Sequence, residues 1–145
     1  MFKAAIEEYR RYFRNIFGFE PSISKNYQIY FATFEFYSRY TQNQKTQIYY
    51  PVKPGLKIIV EIPENIANEL REIASWFLKA IKNQDIHILR TALARWFNLV
   101  SRARAIYIER VIGSVAVRLR VNSVSEIKQT IEKIESIAQT LATQL

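Results

Sequence analysis

The chain has 145 residues, 49% hydrophobic, and its 21 basic against 13 acidic side chains give a net charge of +8. That length supports one sizeable core, three Gly and four Pro argue against a loop-rich chain, and the lack of Cys excludes disulfides and thiolate metal sites. The partners that suit such a charge are nucleic acid, an anionic membrane surface or an acidic protein face.

Residues 2–17 place Phe2, Ile6, Tyr9, Phe13 and Ile16 or Phe17 at helical spacing, with Lys3, Glu7, Arg10 and Arg14 on another face and Arg11 beside them. Gly18 and Pro21 are set to stop that helix. The interleaved charge of MFKAAIEEYRRYF lacks the continuous apolar core of a secretion signal, and no apolar run approaches the roughly 20 residues of a membrane span. Residues 27–40, YQIYFATFEFYSRY, mix helical spacing with strand-prone aromatics, and helix is the expectation. Fifteen of the twenty aromatic side chains precede Pro51. Two short helices cannot hide so many rings from each other, so part of this surface is expected to meet another chain or a ligand.

After a polar break at 41–46, QIYYPVKPGLKIIVEIP reads as a β-hairpin or an extended crossing segment. Pro54-Gly55 suits the centre of a type II turn, and Leu56, Ile58, Val60 and Ile62 alternate as strand residues. A helix follows from Pro63 to about Asn83 on Ile66, Leu70, Ile73, Phe77 and Ile81. Residues 85–112 then read as one long helix, capped by Asp85, striped by Leu89, Leu93, Trp96, Val100, Ala103, Tyr107 and Val111, and ended by Gly113. The short junction makes these two helices an antiparallel hairpin. In 114–121, Val115, Val117, Leu119 and Val121 alternate with Ser114, Ala116, Arg118 and Arg120, a strand pattern or a helical continuation. Ser123 with Glu126 forms a capping-box signature for a last helix bearing Val124, Ile127, Ile131, Ile134, Ala138 and Leu141. The fold expected is mainly α: an N-terminal helical arm plus an antiparallel helical bundle with a short β-hairpin, α+β being the alternative. The corresponding domains are a basic, aromatic-rich arm over 1–50 and a bundle over 51–145.

Charge falls in blocks. Residues 1–55 hold eight basic and four acidic side chains, and residues 86–120 hold seven arginines against Glu109 alone, while 56–85 and 121–145 are nearly neutral. A plain solvated surface mixes its signs more evenly. Ion pairing to the acidic 61–85 helix would absorb two or three of Arg90, Arg95, Arg102, Arg104, Arg110, Arg118 and Arg120, leaving a second basic surface. Arg95 and Arg102, seven apart, would share the face opposite the apolar stripe.

Catalysis has little to work with. His87 is the one histidine, so no His pair, His-rich metal site or serine-type triad can be assembled. Glu7-Glu8 and Glu64, Glu69 and Glu72 fit solvated helix faces better than acid–base pairs. Glycines only at 18, 55 and 113 permit no phosphate-cradling loop. The expectation is a non-enzyme with no catalytic residues, no metal and no cofactor. The YRRYFR run at Tyr9–Arg14 is the most suggestive motif, because guanidinium groups grip phosphates and interleaved rings stack or wedge. An amphipathic helix with solubilising arginines is the plain alternative.

Taken with the Ile/Tyr/Gln/Asn-rich, Cys-free composition, the YRRYFR arm and the helices after it resemble the coat proteins of filamentous and rod-shaped crenarchaeal viruses. The resemblance covers arm (about 1–50) and bundle (about 63–145) as architecture, and the 47–62 and 114–121 stretches depart from its all-helical pattern. It implies an arm that wraps double-stranded DNA, a helical bundle forming the outer wall, assembly with copies of itself or a related coat subunit, and a place in the virion or host cytoplasm. On that reading Lys3, Arg10, Arg11, Arg14, Lys25, Arg39 and Lys45 contact phosphates without base readout. The alternatives are a small viral inhibitor occupying the DNA channel of the host RNA polymerase, and a small helical subunit of a nucleic-acid complex.

Overall fold

The computed structural model describes residues 2–22 and 46–144, with side chains described from Ala4 onward. The helix expected at 27–40, with Lys25, Arg39 and Lys45, lies outside the described residues, as does the side chain of Lys3. Among the described residues, four α-helices and four strands follow in the order α1 (Phe2–Phe17), β1 (Thr46–Lys53), β2 (Leu56–Ile62), α2 (Ala67–Asn83), α3 (Ile86–Asn98), β3 (Ala105–Ile112), β4 (Val115–Val121) and α4 (Ile127–Gln144). The strands form one antiparallel sheet in the order β1-β2-β3-β4. The fold is therefore α+β, which corrects the mainly α arm-and-bundle expectation.

The decisive departure lies in 85–112. Asp85 caps α3 as expected, its Oδ1 accepting from the backbone N–H of His87 at 2.9 Å and of Ile88 at 3.2 Å. The helix nevertheless ends at Asn98, a 3₁₀ turn spans Leu99–Arg102, and Ala103 is already extended. Residues 105–112 are β3, whose β-branched and aromatic content favours a pleated surface. Ala103, Tyr107 and Val111 fit helical spacing, but Ile106 and Ile108 fit a period of two, and pairing with β2 on one side and β4 on the other selects the strand.

Both hairpins rest on glycine. Gly55 sits at φ +80° between β1 and β2, and Gly113 at φ +58° between β3 and β4. A left-handed φ at the first central residue alone suits a type II′ connection at Gly113-Ser114, so Gly113 turns a hairpin instead of ending a helix. The expected capping box also changes form. The Ser123 side chain bonds no backbone N–H of α4 but meets Ser125 Oγ at 2.9 Å, and a 3₁₀ turn over Val124–Glu126 leads into the helix.

The register puts Ile48, Tyr50 and Val52, then Leu56, Ile58, Val60 and Ile62, then Ile106 and Ile108, on one face of the sheet. That face carries the core, shared with Tyr9, Phe13 and Phe17 of α1, Leu70, Ile73 and Phe77 of α2, Leu89, Leu93, Trp96 and Phe97 of α3, and Ile127 and Ile134 at α4. Phe97 is the hub of the aromatic cluster, within 5.1–6.3 Å of the Tyr9, Tyr12, Phe13, Phe17 and Tyr50 rings. Helix α1 is thus built into the core and is no free arm. Burying each of its large side chains contributes roughly 1.5–3 kcal/mol.

Candidate nucleic-acid interface

The YRRYFR run lies on α1, and the fold uses it from both sides. Its rings face inward, with Tyr9 and Phe13 exposed by 1% and 0%. The Tyr9 hydroxyl donates to the Pro51 carbonyl at 2.9 Å, and Tyr12 stacks on Phe97. Its guanidinium groups meet carboxylates: Arg10 with Glu7 at 3.6 Å, Arg11 with Glu8 and Arg14 with Glu20, both at 2.5 Å. Rings expected to stack on a partner therefore belong to the core, and the local charge is largely compensated.

The second arginine block is divided in the same way. Arg90 meets Glu8 at 3.1 Å, Arg95 meets Glu72 at 3.2 Å, Arg110 meets Glu135 at 2.9 Å and Arg118 meets Glu109 at 2.7 Å. Arg102 holds Glu69 at 2.8 Å and also pairs with Glu64, and the hydrogen bond to Glu69 chiefly raises its pKa above the ordinary value. Arg104 and Arg120 are exposed and have no carboxylate partner among the described residues. The 61–85 region pairs two of the seven, Arg95 and Arg102, within the two or three that the sequence suggested, and Arg90, Arg110 and Arg118 are paired in addition from α1, α4 and β3. Arg95 and Arg102 do not share a helix face, since Arg102 lies in the 3₁₀ turn. Exposed pairs of this kind contribute about 0–1 kcal/mol each. Their larger effect is to cancel the field that would draw in a polyanion.

Two further cations without a carboxylate partner among the described residues lie on the outward side of the α2–α3 hairpin. Trp76 is half-buried there, with the Arg95 guanidinium 4.3 Å from its ring centroid. Trp76, Lys79, His87, Ile88 and Thr91 line a shallow groove of about 240 Å³ between the two helices. Lys79 lies one turn after Trp76 and Lys82 one turn further, on neighbouring positions of α2. Both lysines are exposed and without a carboxylate partner among the described residues. The sequence reading passed over them because 56–85 is nearly neutral as a block. The signal that could have found them is the i, i+3, i+6 spacing of Trp76, Lys79 and Lys82 away from the apolar stripe.

The outer face of the sheet carries a third arrangement. Lys57, Glu109 and Arg118 are register partners across β2, β3 and β4, joined at 3.6 Å and 2.7 Å into a row in which two cations share one carboxylate. Next to it, Tyr107 is the cross-strand partner of Arg120, and Arg118 lies 5.6 Å from the Tyr107 ring centroid.

Among the described residues there is no group of three or more His, Asp or Glu that could hold a metal ion. No helix among them is long and apolar enough to cross a membrane. His87 is an exposed residue in the first turn of α3, and Glu64, Glu69 and Glu72 serve as partners of Arg102 and Arg95. The arrangement thus defines a cation-edged helical hairpin on a sheet-backed α+β core. No protein-family model, curated protein or solved structure matches the chain.

Proposed function

We propose that the chain is a small non-enzymatic protein that binds double-stranded DNA through phosphates, using the outward side of the α2–α3 hairpin around Trp76, Lys79 and Lys82. The observation that carries the reading is the uneven compensation of charge: the candidate arginines of α1 are all paired with carboxylates, whereas Lys79, which lines the groove with Trp76, and Lys82 one turn further along α2 have no carboxylate partner among the described residues. Lysines act as point charges toward phosphate, and contacts confined to phosphate carry no sequence information, so binding is independent of sequence. A coat or packaging subunit and a subunit of a nucleic-acid complex both require this property, whereas an inhibitor of a polymerase's DNA channel would contact the polymerase and not DNA. The coat reading drew on an arm-and-bundle architecture that this fold replaces, so phosphate-directed binding is the conclusion and self-assembly in a virion one use of it.

The test is anisotropy of two unrelated labelled duplexes across a salt series. Affinity should be equal for both and fall steeply with salt. Replacing Lys79 and Lys82 with Ala should weaken both alike and reduce the log–log salt slope by about 2. A strong preference for one duplex, or affinity indifferent to salt, would overturn the reading.

A further inference from the structure

The two edges of the sheet are finished differently. Edge strand β1 contains Pro51, its register with β2 shifts between Pro51 and Lys53, and the Val52 carbonyl accepts from the Ser22 backbone N–H at 2.7 Å. These are devices that close an edge to further strands. Edge strand β4 has none of them among the described residues. It contains no Pro, and its pairing with β3 runs unbroken from Ile106↔Val121 to Ile112↔Val115. Because a two-residue turn closes on the Ile112–Val115 pair, the backbone groups of Val115, Val117, Leu119 and Val121 turn toward β3. Those of Ala116, Arg118 and Arg120 turn away from the sheet, and all three residues are exposed.

We infer that β4 is a docking edge for an extended segment of a partner protein that alternates acidic and apolar residues. Strand addition would extend the ladder through the outward N–H and C=O groups of Ala116, Arg118 and Arg120. On the helix-covered face, apolar side chains of the added strand would meet Val117 and Leu119, which are half-buried, and Val115, which is 37% exposed. On the other face, its carboxylates would meet Arg118 and Arg120, one strand period apart. Arg118 shares its carboxylate, Glu109, with Lys57, and Arg120 has no carboxylate among the described residues, so the edge offers cation beyond what the fold neutralises. A second copy of β4 is a poorer occupant, because antiparallel pairing about Arg118 sets that arginine against its own copy.

The probe is a fluorescent peptide, acetyl-Val-Glu-Val-Glu-Val-Glu-Val-amide, titrated with the full chain. Its controls are the same length with Lys for Glu, and the acidic peptide with its central residue replaced by Pro. The acidic peptide should bind, and both controls should be at least about tenfold weaker. Amide exchange at Ala116, Arg118 and Arg120 should slow on binding. Arg120→Glu leaves the Lys57–Glu109–Arg118 row intact and should reverse the preference toward the lysine peptide. Ala116→Pro removes an outward N–H and should weaken binding with an unchanged circular dichroism spectrum. Equal binding of the proline-bearing peptide, no slowing of those amides, or displacement of the peptide by a DNA duplex from the same edge would overturn the inference.

Discussion

Glu8 on α1 and Arg90 on α3, 82 positions apart, meet at 3.1 Å, and the other oxygen of the same carboxylate holds Arg11. One acid thus joins the two arginine blocks that the sequence presents as separate surfaces. Glu8→Gln should cost about 1 kcal/mol, the scale of a partly exposed charged contact, and release two guanidinium groups. Denaturant unfolding measures the first effect. DNA affinity at low salt measures the second, and it should rise.

The arginines of α1 should matter little to DNA. Replacing Arg10, Arg11 and Arg14 together with Ala should change duplex affinity less than replacing Lys79 and Lys82, because each arginine already faces a carboxylate. Parallel salt-dependent titrations of the two variants decide it. A larger loss in the α1 variant would return DNA contact to the N-terminal helix.

Stability should respond strongly to the rings of the same helix. Phe13 is fully buried against Phe17, Phe19 and Phe97, so Phe13→Ala should cost about 3–5 kcal/mol. Tyr9→Phe keeps the ring but leaves the buried Pro51 carbonyl without this donor, and should cost about 1–2 kcal/mol. Chemical unfolding monitored by Trp fluorescence reads both.

The β1–β2 turn is a further point of strain control. At Gly55, φ +80° already disfavours a side chain, and an added Cβ would lie 3.2 Å from the Val111 carbonyl oxygen and 2.6 Å from Arg110 Nη1. Gly55→Ala should cost about 1–2 kcal/mol, part from backbone strain and part from displacing Arg110. Thermal unfolding should show the loss.

Tyr50 sets an alkaline limit. Its hydroxyl donates to the Trp96 carbonyl, and burial raises its pKa well above the ordinary 10.0. The folded state therefore holds this proton more tightly than the unfolded chain. The stability it contributes is complete below about pH 10 and is lost as pH climbs from there toward the raised folded value. Tyr50→Phe should be less stable near neutrality, because it lacks the hydrogen bond, but should lose less stability between about pH 9 and about pH 11. Unfolding curves of both proteins across that range test the sign.

Some of the local chemistry that is decided within a few residues was legible, although the capping box at Ser123 and the role of Gly113 were not. Asp85 caps its helix, Pro54-Gly55 turns a hairpin, and the alternation from Leu56 to Ile62 and from Val115 to Val121 marks strands, because caps, turn dihedrals and side-chain period depend on neighbours in the chain. The stretch 105–112 carries both periods at once, and only hydrogen-bonded partners at 56–61 on one side and 115–121 on the other make it a strand. Which charges remain available was equally non-local. Arg90 is compensated from α1 and Arg110 from α4, while Lys79 and Lys82, from a block whose charges nearly cancel, have no carboxylate partner among the described residues. Composition determined that the protein is cationic. Tertiary structure decided which cations are left without a nearby carboxylate among the described residues, since a carboxylate cancels a charge by its distance in space, whatever its separation in sequence.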